Sequence, residues 1–136
     1  GELATDLALQ ARLLQDEAAL ELARQQFGQA GQRYREALQV SLRAEGREAQ
    51  LLAARIRREM GDFAMRQGET PAALALYRQA LRAFEDAIPA QPLDQVLALR
   101  GVGVALRQLG RAGEAVDSLR DAKRRLAESG AVEPAA

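Results

Sequence analysis

Arg55, Arg58, Asp62 and Arg66 follow one another at spacings of three, four and four residues, which places their side chains on one face of an α-helix. Guanidinium groups in such a row offer planar pairs of N–H donors that suit carboxylates. Arg100, 42 residues beyond Arg58, is followed by Val104 and Arg107 at spacings of four and three, so a similar row recurs. Chemistry of other kinds has little to work with. The chain contains no His, Cys, Trp or Asn, which excludes imidazole and thiol catalysis, nitrogen- or sulfur-based metal sites, and disulfides. Asp16-Glu17 and Glu85-Asp86 are adjacent carboxylates, but consecutive helical side chains diverge by about 100°, so neither pair converges on one substrate. Gly101-Val102-Gly103 matches only part of a dinucleotide fingerprint, with no strand before it, and close helix packing explains it better. No catalytic residue, metal or cofactor is expected.

These rows need elements to hold them. The 136 residues suffice for a single domain with one core. Nineteen basic residues, 18 of them Arg, balance 19 acidic ones at a net charge of zero, so no global field draws the chain to nucleic acid or an anionic membrane. Lys123-Arg124-Arg125 lacks interleaved aromatics and suits the C-terminal end of a helix dipole. No apolar run reaches the roughly 18 residues of a membrane span, and Gly-Glu-Leu-Ala-Thr-Asp lacks a signal-peptide pattern; a cytoplasmic location is the expectation. A start at Gly1 rather than Met points to a processed chain or a segment of a longer one, and the Arg-over-Lys, Ala/Leu bias to a GC-rich bacterial genome.

Ala, Leu, Arg, Glu and Gln dominate and β-branched residues never alternate over a strand length, so the chain reads as all-α. Breaks at Phe27-Gly28, Gly46, Gly68 to Pro71, Ile88 to Pro92, Gly110 and Gly130 divide it into six helices near 3–26, 29–45, 47–67, 71–87, 93–109 and 112–129. Thr70-Pro71 reads as an N-cap followed by Pro at the first helical position. Residues 131–136 read as a flexible tail. Leu52, Ile56, Met60 and Phe63 form one core stripe; Ala73, Tyr77, Ala80, Leu81, Phe84 and Ile88 form another.

The chain also repeats itself. Tyr34-Arg35-Glu36-Ala37, Tyr77-Arg78-Gln79-Ala80 and Leu119-Arg120-Asp121-Ala122 recur 43 and 42 residues apart, each with Ala four residues before it (Ala30, Ala73, Ala115). Met60-Gly61 and Val102-Gly103 are 42 apart, as are Gly68 and Gly110. Small residues let antiparallel helices approach while the aromatic or Leu fills the space beside them. Arg35, Arg78 and Arg120 recur with the repeat and read as solvent-facing side chains whose stems cover apolar surface.

At these residues the sequence resembles the tetratricopeptide repeat family, whose signature is a large apolar residue then Gly in the first helix and Ala-x3-Tyr/Phe-x2-Ala in the second. The resemblance implies one domain over 1–130, a right-handed superhelix of three antiparallel helical hairpins at about 3–45, 47–88 and 93–130. The 42-residue spacing is similar to the long-helix variant of kinesin light chains and bacterial multidomain regulators. Repeat one departs most: Glu17-Ala18 replaces the apolar-Gly pair, and Gln25 stands where the turn Gly belongs.

In that family the first helix of each hairpin lines a concave face that receives peptides or partner helices. The resemblance therefore implies a non-catalytic interaction module in which Arg55, Arg58, Asp62, Met65, Arg66, Arg100, Val104 and Arg107 bind a protein or peptide, with acidic character expected of it. The row could equally be a solvated face paired with Asp62 and Glu59. A second reading is a self-associating segment, a homodimer within a larger signalling protein, using its open end or the Leu-rich first helix (Leu3, Leu7, Leu9, Leu13, Leu14). Neither reading involves nucleic acid or a membrane.

Overall fold

The computed structural model describes residues 2–130. Six helices follow in order: α1 (Glu2–Ala23), α2 (Phe27–Arg43), α3 (Arg47–Arg66), α4 (Thr70–Asp86), α5 (Pro92–Gln108) and α6 (Ala112–Glu128). No strand occurs among the described residues. The described residues form an all-α fold with two compact units, Gly1–Met60 and Gly61–Ala136, and a division that falls within α3. The expected tail, 131–136, lies outside the described residues.

In the first unit, α1 and α2 pack as a hairpin joined by the short turn 24–26, a length that makes consecutive helices antiparallel neighbours. Ala8, Ala11 and Ala37 are small enough for Leu52 and Ile56 of α3 to reach the axis between them, and these five form one buried cluster. Ile56 is fully buried, worth about 1.5–3 kcal/mol for a side chain of its size. Ser41, the buried polar residue of α2, donates from its hydroxyl to the Leu38 carbonyl at 2.7 Å, so its burial leaves no unmet donor.

In the second unit, the end of α3 joins α4, α5 and α6 around Ala64, Ala73, Tyr77, Val102, Ala105 and Leu106. Glycines set the helix spacing here. A Cβ on Gly61 would lie 2.8 Å from the Tyr77 ring and one on Gly101 2.5 Å from it, so the ring of α4 lies between the backbones of α3 and α5. A Cβ on Gly103 would meet Leu119 of α6 at 2.7 Å. The Gly101-Val102-Gly103 segment is thus a packing feature, as its position within a helix predicts.

Three turns share one hydrogen-bond pattern. Gln26 N donates to Glu21 O at 2.8 Å, Glu69 N to Ala64 O at 2.8 Å, and Arg111 N to Leu106 O at 2.9 Å. One residue earlier, Gln25, Gly68 and Gly110 donate to Leu22, Met65 and Arg107. This is the paired bonding of a Schellman cap, which needs a left-handed residue just past the helix. Gly68 and Gly110 take it at φ 75° and 77°, and Gln25 takes the same conformation at φ 61°. The carbonyls of Gln26, Glu69 and Arg111 then accept from the N–H of Ala30, Ala73 and Ala115, starting the next helix.

Three local expectations shift. The first break lies at 24–26 instead of Phe27-Gly28, because Gln25 makes the turn and α2 already starts at Phe27. Glu69 precedes α4, so Thr70 is its first residue and makes no cap. Ile88 is 85% exposed, because α4 ends at Asp86 and Ala87 is extended, which takes Ile88 off the core stripe.

Candidate functional site

The predicted binding residues fall in both units. Arg55 and Arg58 belong to the first, where both are half-buried on α3. Asp62, Met65 and Arg66 occupy the last turns of α3 in the second unit; Asp62 and Arg66 are exposed, while Met65 packs against the buried cluster that includes Val102, Ala105 and Leu106 of α5. Asp62 accepts a short hydrogen bond from the Tyr77 hydroxyl. A residue read from the sequence as part of a binding row therefore also anchors the polar tip of a buried aromatic, the usual requirement when a tyrosine is packed inside.

Arg100, Val104 and Arg107 share one face of α5, Arg100 and Arg107 exposed and Val104 half-buried. The same face carries Leu93 and Leu97, 51% and 46% exposed: positions 93, 97, 100, 104 and 107 fall within about 80° of one another around a helix. The opposite face, with Ala98, Gly101 and Ala105, is buried. Among the described residues neither Arg100 nor Arg107 forms an ion pair. Two cations thus stand beside two accessible leucines. In the sequence, Leu93 and Leu97 signal this face only by their spacing to Arg100, because a leucine on a helix reads as core until its face is known.

Two arginines elsewhere are paired within the fold. Arg33 of α2 lies 3.3 Å from Glu17, 3.6 Å from Glu21 and 3.1 Å from Glu36, which ties α2 to α1. Arg125 donates to Asp121 at 3.0 Å, to Glu85 of α4 at 2.8 Å and to Gln95 of α5 at 3.2 Å. The hydrogen bond from Arg125, helped by Arg124, holds the Asp121 carboxyl below its usual range against partial desolvation. Arg124 also reaches Glu128, so two members of the basic trio are paired within the fold and Lys123 remains exposed. Arg35, Arg78 and Arg120 are exposed. Glu17 and Glu85 turn to Arg33 and Arg125 while Asp16 and Asp86 face solvent, the divergence expected of adjacent helical carboxylates.

Among the described residues no group of three or more His, Cys, Asp or Glu is placed to hold a metal ion. None of their helices is long and apolar enough to cross a membrane.

No curated protein matches the chain. Among solved structures, the crystal structure of BtubC (BKLC) from P. vanneervenii is similar to it, with a TM-score of 0.80 at 18% identity over 93% of this chain and 50% of that one. This chain thus corresponds to half the length of that protein. A family model described as tetratricopeptide repeat matches residues 52–128, the stretch that carries Gly61, Tyr77, Gly101 and Gly103 in contact with their partners. On that match, and with the repeated turns and glycine-seated side chains to account for it, the chain belongs to the tetratricopeptide repeat family.

Proposed function

We propose that the chain is a non-catalytic protein–protein interaction module that receives a peptide or helix of its partner on the Arg-bearing faces of its first helices. The observation that carries this reading is the α5 face, where Leu93 and Leu97 stand accessible beside Arg100 and Arg107. An apolar surface gives affinity, and guanidinium forks select carboxylates with charge-assisted hydrogen bonds. The matching ligand alternates acidic and apolar side chains. Arg55 and Arg58 hold on α3 the positions, 42 residues earlier, that Leu97 and Arg100 hold on α5, and Met65 and Arg66 follow them along α3. The tetratricopeptide family generally mediates interactions between proteins, which supports a binding role.

The test is calorimetry with the partner captured by the wild-type chain, compared with the Arg100→Glu/Arg107→Glu variant. The expected loss is about 10- to 100-fold in affinity with unchanged helicity. Equal affinity of the two proteins would remove the α5 face from the binding surface.

A further inference from the structure

The three intra-hairpin turns put the helices in register: Gln25, Gly68 and Gly110 are equivalent, so residues of α1 correspond to those 43 later in α3 and 85 later in α5. Leu13 corresponds to Ile56 and Ala98, both fully buried, yet Leu13 is 56% exposed. Leu9 corresponds to buried Leu52 and is itself exposed, and Leu20 is 59% exposed where its counterpart Ala105 is fully buried. Ile56 is covered by Ala8, Ala11 and Ala37 of the preceding hairpin. The leucine row of α1 therefore presents the face on which, at the equivalent place in α3, another hairpin sits. It lies opposite Ala11, the side chain at the centre of the buried face.

The same register applied to the second helices exposes a complementary face. Leu119 corresponds to Tyr34 and Tyr77, each 3% exposed, and Val116 to Leu74, 5% exposed. Leu119 and Val116 are nevertheless 38% and 44% exposed. Tyr77 is held between Gly61 and Gly101, whereas Leu119 has a glycine, Gly103, on one side.

Charge distinguishes the two faces. Asp6 and Asp16 flank the leucines of α1, and Arg120 and Lys123 flank Val116 and Leu119 of α6; all four are exposed and none is ion-paired among the described residues. Two copies meeting through α6 would bring cations onto cations, whereas the α1 face, with the exposed Arg24 at its far end, supplies through Asp6 and Asp16 the carboxylates that α6 lacks. Opposite faces match. We infer that α1 of one copy docks on α6 of a second copy, a heterologous contact that leaves the α6 face of the first copy and the α1 face of the second unused and so continues into longer assemblies.

The experiment is sedimentation velocity on the 136-residue chain up to about 1 mM, a concentration that reveals even very weak contacts. The expected result is an average mass that rises continuously with concentration and falls with added salt. Leu13→Lys blocks the α1 face, and Val116→Lys/Leu119→Lys blocks the α6 face, with circular dichroism to verify folding. Val116→Lys alone serves if the double variant unfolds. Each blocked protein should be monomeric by itself, and a mixture of the two should stop at a 1:1 dimer, because only one intact pair of faces remains. A wild-type chain that stays monomeric throughout, or a dimer of defined mass that survives the α6 substitutions, would overturn the inference.

Discussion

The Tyr77 ring lies so close to Gly101 that a Cβ there would fall 2.5 Å from it and 2.8 Å from its Cγ, the atom nearest the α4 backbone. A ring held at its root cannot swing aside as the tip of a long side chain can. Gly101→Ala should therefore destabilise the protein by about 1–3 kcal/mol of overpacking, less about 1 kcal/mol of regained helix propensity. At Gly103 the equivalent obstacle is Leu119, 38% exposed and able to rotate outward. Gly103→Ala should consequently lie within about 0.5 kcal/mol of wild type. Urea unfolding of both variants checks the difference, and in a Tyr77→Leu background the cost of Gly101→Ala should shrink.

That contrast shows how far the sequence could be read. Gly61, Gly101, Gly103, Tyr77 and Leu119 announce close helix packing through their spacing alone, because a small residue opposite a large one is a relation that composition preserves. Exposure is a different matter. Leu13 and Ile56 look equally apolar, yet one is 56% exposed and the other fully buried; the distinction depends on whether another helix lies across that face. Asp62 reads as one more member of a charged row, and only the fold brings the Tyr77 hydroxyl to it.

Gln25 is the turn residue that departs from the repeat. It holds φ 61°, a conformation that costs an L residue with a Cβ roughly 1–2 kcal/mol, and it does so because the bonds of Gln25 and Gln26 to Leu22 and Glu21 fix the turn. Gln25→Gly should stabilise the fold by about 1 kcal/mol after the greater chain entropy of glycine is deducted. Thermal unfolding should show a higher midpoint. The reciprocal change, Gly68→Gln, has open space around it and should cost a similar amount through φ alone.

Arg33 and Arg12 both pair across helices, but with different surroundings. Arg33 joins Glu17, Glu21 and Glu36, and the Glu21 side chain is only 18% exposed. Removing its cation leaves a nearly buried carboxylate with less compensation, so Arg33→Ala should cost about 1–3 kcal/mol. Arg12 meets Glu48 at 2.7 Å with side chains 48% and 75% exposed; solvent screens that pair, and Arg12→Ala should change stability by less than about 1 kcal/mol. Chemical denaturation of the two variants tests the ranking.

Acid should weaken the contacts that Asp121 makes. Arg125 holds its carboxyl below the usual range, so the folded state binds the proton less readily than the unfolded chain does. The stability this gives is present above the unfolded value, about pH 4, and disappears as the pH falls through the lower folded value. Asp121 and Arg125 are 29% and 22% exposed, so screening limits the contribution to about 0.5–1 kcal/mol. Asp121→Asn should therefore be less stable than wild type at neutral pH and converge with it at the acid end. Urea midpoints from pH 7 downward measure this: a constant gap between the two proteins would show that the loss comes from packing or from the altered hydrogen bonds and owes nothing to ionisation.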